Sequence, residues 1–209
     1  TDLVEATPSD GDEWLPSFLV RLWKLHGSVN WAWENRGRTD VIRLGVPVAS
    51  DEVAAIYPSD TKYDESRRVP FVVLQDRFRR ALYTAESLVL VTGYSWRDEH
   101  LNELLIEAAR RRPRSEIITF TRSTIPAAVA ENATSLPNLQ AVTAKEAVLG
   151  GVKAAWKAPD EPLPDVWNDD SFALADFRCL AAFLAKSSAP QPDLDRRLKA
   201  LLESLGGDD

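Results

Sequence analysis

An α/β fold, with helices laid over a parallel sheet, is predicted by three observations. From residue 71 onward, stretches with apolar residues every three or four positions alternate with short apolar runs of strand length. The junctions carry turn and capping chemistry, as at Gly93-Tyr94-Ser95 and Pro126. The resulting order (helix, strand, helix, strand, helix, strand, helix) is the one that right-handed crossovers over a parallel sheet produce.

Taken in order, residues 1–16 are acidic and hold Pro, Gly and Ser, and they read as an exposed lead-in. The α/β region is placed at 17–157. Its first element is a strand over residues 18–25 (FLVRLWKL), closed by His26-Gly27, where glycine permits a sharp turn. Residues 28–70 read as short strands and loops, with apolar runs at 41–48 and 53–57. Phe71, Leu74, Phe78 and Leu82 mark an amphipathic helix, and Leu88-Val89-Leu90-Val91-Thr92 a buried strand.

Ser95 and Asp98 fit a capping box that opens a helix striped by Leu101, Leu104, Leu105, Ala108 and Ala109 and stopped by Pro113. A strand over 116–121 follows, then a short helix after Pro126 and a strand from Leu139 to Val142. Thr143 and Glu146 then predict a capped helix reaching Trp156. The Pro- and acid-rich stretch 158–168 reads as a linker. A helical C-terminal extension over 169–209 carries Leu174, Phe177, Leu180 and Leu184 in one helix and Leu194, Leu198, Leu201, Leu202 and Leu205 in another.

Composition narrows the class. At 209 residues, 44% apolar and 27% charged, the chain can bury a substantial core, as one domain with an appendage or as two small domains. Basic residues number 25 against 32 acidic ones, and the charge of −7 argues against a dedicated nucleic-acid surface. The cluster Arg110, Arg111, Arg112 and Arg114 reads as a solvated helix end. No apolar run approaches the roughly 20 residues of a membrane helix, and the acidic start is unlike a signal peptide. A lone cysteine, Cys179, excludes intrachain disulfides and a cysteine-based zinc module and points to a reducing, cytoplasmic setting. The chain contains no methionine at all, so it is read as a possible part of a longer protein.

In an open parallel sheet, ligands bind beyond the carboxyl ends of the strands. Three such ends are polar: Lys24-Leu25-His26-Gly27-Ser28, then Gly93-Tyr94-Ser95 with Asp98 and Asn102 after it, then Thr121-Arg122-Ser123. A neutral imidazole at His26 could take a proton from a hydroxyl or water, or could be a buried structural histidine. Gly93 and Ser95 could present backbone amides to a phosphate or form a plain strand-to-helix turn. Asp98 could orient a ligand hydroxyl or only cap the helix, and Asn102 could support that site or face solvent. His100 has no partner ligand in the sequence and is read as a surface residue, so no metal site is assigned.

The strings LWKLHGSVNW and LVLVTGYSWRDEHLNELL, in that order, resemble the later part of a sirtuin-like (silent information regulator) domain over about residues 22–122. The resemblance implies a Rossmann-like domain that takes NAD as substrate and breaks its nicotinamide–ribose bond, to deacylate lysine or, in bacterial anti-phage defence relatives, to destroy NAD. It makes His26 the catalytic base. Gly27, Ser28, Gly93, Tyr94, Ser95, Asp98, Asn102, Thr121 and Arg122 become nucleotide contacts, the last two where the family usually places an asparagine. The enzymatic reading needs His26 and the Tyr94 corner to face one crevice.

Two features depart from that family pattern. None of the nine glycines forms the G-x-G of a pyrophosphate loop after a strand, so that loop is expected upstream and these residues alone are expected to turn over NAD poorly. The insert over 28–70 holds no cysteine, so no zinc is expected and a groove for acyl-lysine is poorly supported. An NAD hydrolase that yields ADP-ribose and nicotinamide is therefore preferred, regulated by homo-oligomerisation or a partner ATPase. The alternatives are a non-catalytic NAD- or ADP-ribose-binding or assembly module, and an NAD-dependent deacylase.

Overall fold

The computed structural model describes residues 2–3, 22–34, 40–49, 52–56, 68–157, 160, 163, 165–168 and 171–188. The chain divides into two compact units, residues 1–84 and 85–209.

In the first unit, β1 (Asp2–Leu3), β2 (Gly27–Trp33), β3 (Val41–Arg43) and β4 (Val53–Ala55) form an antiparallel sheet in the order β1-β3-β2-β4. The apolar runs at 41–48 and 53–57 thus supply strands as expected. Part of the lead-in, Asp2–Leu3, pairs with β3, and the rest of 1–16 lies outside the described residues.

The strand expected over 18–25 is corrected over 22–25. Residues 22–24 are irregular, Leu25 and His26 form a turn, and 18–21 lie outside the described residues. Gly27 reverses the chain at φ +82°, its N–H closes on Lys24 O at 3.0 Å, and the strand begins there. A Cβ at position 27 would stand 2.2 Å from Ala54 O, so only glycine fits. The helix α1 (Phe71–Leu82) forms as predicted. Its Phe71 and Leu74 join Trp31, Val41, Ala54 and Ile56 in one buried core, with the Trp33 ring edge-on to Phe71 at 6.0 Å.

The second unit holds a five-stranded sheet in the order β5-β6-β7-β8-β9: β5 (Leu88–Thr92), β6 (Glu116–Phe120), β7 (Leu139–Val142), β8 (Glu146–Leu149) and β9 (Val152–Ala155). β5, β6 and β7 run parallel, and β8 and β9 add an antiparallel hairpin. The fold is α/β, with α2 (Glu99–Arg111) and α3 (Ala127–Ala133) as the crossovers. Its sheet is mixed rather than wholly parallel. Among the described residues β5 lies at the sheet's edge, with Leu88 exposed and its other residues half-buried, which corrects the buried strand read from its apolar run.

The helix expected from Thr143 to Trp156 is also corrected, because the segment is the β8–β9 hairpin. The capping chemistry is real but closes a turn: Thr143 Oγ1 accepts the N–H groups of Lys145 and Glu146 at 3.1 and 2.9 Å. Gly150 and Gly151, at φ +57° and +83°, then supply the tight reversal that a two-residue hairpin loop demands.

After the sheet come a two-stranded hairpin, β10 (Trp167–Asn168) with β11 (Ser171–Phe172), a 3-10 turn (Ala173–Ala175) and α4 (Phe177–Ser188). Phe172, Leu174 and Leu180 cover one sheet face, against Val142, Leu90, Ile118 and Phe120. Leu174 sits in the 3-10 turn and not in the helix with Leu180. The leucine stripe expected over 194–205 lies outside the described residues. Among those described, no helix is long and apolar enough to cross a membrane.

Candidate functional site

His26 belongs to the first unit and the Tyr94 corner to the second. Because the strand starts after it, His26 precedes β2 in an antiparallel sheet and does not end a parallel strand. It is half-buried, and its carbonyl accepts the Ile56 N–H at 2.9 Å, which pins the turn to the chain leaving β4. The β2–β4 register shifts between Gly27 and Ala32, and within this stretch Ser28 and Asn30 join a polar chain. Lys24 Nζ donates to Ser28 Oγ at 2.7 Å, Ser28 Oγ to Asn30 Oδ1 at 2.8 Å, and Asn30 Nδ2 to Leu44 O at 2.9 Å. The Ser28 hydroxyl is therefore already both donor and acceptor.

In the second unit the candidates gather at the carboxyl end of β5. Gly93 leaves the strand at φ +65°, and a Cβ there would meet nothing within 4 Å, so a ligand can approach the backbone closely. Gly93 and Ser95 are exposed. Asp98, not Ser95, caps α2, accepting the Leu101 N–H at 3.3 Å, which corrects the capping box.

Between these residues the chain is pinned from inside. Trp96 is buried at φ +57°, an unusual conformation for a bulky residue, and its Nε1–H donates to Thr119 Oγ1 at 3.0 Å. Asn102, 7% exposed, donates from Nδ2 to Trp96 O at 2.9 Å and accepts the Tyr94 hydroxyl on Oδ1 at 2.8 Å. Asn102 thus faces inward and holds the loop. Burial, reinforced by the Asp98 carboxylate, pushes the Tyr94 hydroxyl up to about 12, so Tyr94 stays a neutral donor and is no proton carrier at neutral pH.

Thr121 and Arg122 lie at the same end of the neighbouring strand, since Thr92 pairs with Phe120 in parallel. The Thr121 hydroxyl donates to Thr124 O at 2.9 Å, and the exposed Arg122 guanidinium stands 3.9 Å from Asp176. The Arg178 N–H and guanidinium hold the Asp176 carboxyl below the usual carboxylate range.

The sequence reading missed the segment that crosses these strand ends. The carbonyls of Leu174 and Ala175 accept Thr92 Oγ1–H at 2.9 Å and Gly93 N–H at 3.1 Å, while Phe172 N–H donates to Arg122 O at 3.3 Å. The Gly93 amide is thereby taken, which leaves the corner's later amides to meet a ligand. No local signal marks residues 172–175, because they act through main-chain atoms.

The second unit is thus an α/β domain of the type that binds nucleotides at the carboxyl ends of parallel strands. The family model described as "SIR2-like domain" matches residues 7–141, more than half of the chain, and the chain belongs to that family. The match spans the His26 turn, the Tyr94 corner and Thr121-Arg122, and it gives the chain an NAD-related function. Comparison with curated proteins finds no match. Among the described residues, no group of three or more His, Cys, Asp or Glu is arranged to hold a metal ion.

Proposed function

We propose that this chain is part of a sirtuin-like NAD hydrolase that converts NAD to ADP-ribose and nicotinamide, acting in the cytoplasm in bacterial anti-phage defence. The observation that carries the reading is the Gly93–Ser95 corner. It is an exposed strand-to-helix turn at the mouth of parallel strands, with open space where a side chain would stand. The C1′–N bond breaks as neutral nicotinamide leaves with the electron pair. Water then adds to C1′, and His26 accepts its proton and returns it to solvent. Water is preferred over lysine as acceptor because the lone Cys179 cannot build the four-cysteine module of the deacylases. Self-association or a partner ATPase restrains the activity.

Nicotinamide release and cellular NAD, followed in cells expressing the protein from its own gene, test this reading. His26→Ala is expected to abolish NAD loss while leaving the melting curve unchanged; undiminished loss removes His26 from the reaction. A second reading, a module that binds ADP-ribose without turnover, is favoured by the bond between Gly93 N–H and Ala175 O. Calorimetric binding with no nicotinamide release selects it.

A further inference from the structure

α4 carries two apolar faces. On one, Leu180 is buried and Phe183 packs against the cluster of Val142, Phe172 and Leu174. On the other, Phe177, Ala181, Leu184 and Ala185 recur at helical spacing and are exposed, Phe177 at 69% and Leu184 at 43%. An apolar stripe rimmed by charges, here the exposed Arg178 and Lys186, marks an interaction surface. Residues 189–209 follow α4 and lie outside the described residues. In their sequence Pro190 and Pro192 interrupt helical continuation, Asp193 is a helix-opening residue, and Gly206-Gly207 is a stop. Between these signals Leu194, Leu198, Leu201 and Leu205 recur at intervals of four, three and four, and Phe177, Ala181 and Leu184 at four and three. Run antiparallel, the two series fall into register: Phe177 meets Leu205, Ala181 meets Leu201 and Leu184 meets Leu198, every pair centred on Gln191 in the connection. The small Ala181 and Ala185 leave room for the leucines to approach. α4 spans 12 residues, about 18 Å, and 194–205 is as long. A helix of that length is marginal in water without a surface to pack on.

We infer that residues 194–205 form a helix that folds back over the exposed stripe of α4, making a helical hairpin within one chain. The connection over 189–193 has the length of loops that join antiparallel helices, about 2–5 residues, and so short a tether favours the chain's own leucines over those of a second copy. A stripe covered from within the chain is not available to a partner protein. The hairpin involves neither His26 nor the Gly93–Ser95 corner, so it stands or falls separately from the hydrolase reading.

Cysteine pairs placed in the full chain, with the exposed Cys179 replaced by Cys179→Ser, test the inference under mild oxidation. Ala181→Cys with Leu201→Cys is expected to close as a disulfide within one chain about tenfold or more faster than Ala182→Cys with Leu201→Cys, because position 182 lies about 100° round the helix from position 181. Equal rates for the two pairs, or closure of neither, overturns the hairpin. A disulfide-linked dimer also overturns it, by giving the stripe to a second copy. As a measurement independent of variant folding, amide hydrogen exchange over 198–205 of the unmodified protein should run about tenfold or more slower than in an unstructured chain. Exchange at the unstructured rate overturns the helix, and protection that survives Leu201→Glu overturns its seat on α4.

Discussion

Replacing Asn102 by alanine separates a residue that holds the corner from one that touches ligand. Its amide bridges two points of the 93–98 loop: the Trp96 carbonyl, at 2.9 Å, and the Tyr94 hydroxyl, at 2.8 Å. Alanine strands the Trp96 carbonyl in a buried setting, which costs about 1–3 kcal/mol. The Tyr94 loss is smaller, because the same hydroxyl also donates to the Asp98 carbonyl at 3.0 Å and keeps that acceptor. With the small void left behind, a loss of about 2–4 kcal/mol is expected. Against a total stability of about 5–15 kcal/mol, that is a large fraction.

Urea unfolding of the purified chain reads this loss, and at about 3 °C per kcal/mol the melting point should fall by about 6–12 °C. Asn102→Asp should be worse at neutral pH, since it turns a buried donor into a carboxylate facing a carbonyl, and should recover partly in acid as the carboxyl regains a proton. In a double-mutant cycle, Tyr94→Phe and Asn102→Ala should be non-additive, because the two side chains share a bond. A loss below about 0.5 kcal/mol for Asn102→Ala would refute the holding role. So would weakened ADP-ribose binding at unchanged stability, which would return Asn102 to the ligand contacts.

Two glycines that both adopt positive φ should respond differently to alanine. At Gly27 the new Cβ meets the Ala54 carbonyl at 2.2 Å, so strain and clash together should cost about 3–5 kcal/mol, whereas at Gly93 the space is open and only about 1–2 kcal/mol of backbone strain is expected. Equal shifts in urea midpoint would contradict that difference. An absorbance titration should show a tyrosine component that ionises late, near pH 12, and Tyr94→Phe should remove it. Because the fold raises the hydroxyl above its unfolded value of 10.0, the stabilisation it reflects is complete below about pH 10 and fades as pH rises through about 12. A late component that survives in the variant would refute the assignment.

The run from β5 to β7 was legible in sequence because its apolar spacing changes cleanly between helix and strand, with Pro113 and Pro126 as punctuation. Residues 22–25 misled because a short apolar run has no period to read, whereas the signal for β2 lay in Gly27 and the aromatic-rich run after it. At 143–156 two local signals competed, and the Gly150-Gly151 pair outweighed a threonine whose turn geometry suits either outcome. The corner's position at a strand end could be read from Gly93-Tyr94-Ser95 alone. Its internal bracing could not, because Asn102 turns inward only where Trp96 takes a left-handed backbone, and the Thr92 hydroxyl finds its acceptor 82 residues along the chain.

The clasp over the mouth of β5 and β6 is made of peptide atoms: the oxygens of residues 174 and 175 and the nitrogen of 172. Every amino acid carries such an oxygen, so an exchange at 174 or 175 that keeps the buried apolar packing leaves the fastening in place. Position 172 is different, since proline alone among the amino acids would delete the N–H that grips Arg122, and a single such exchange would unhook that end.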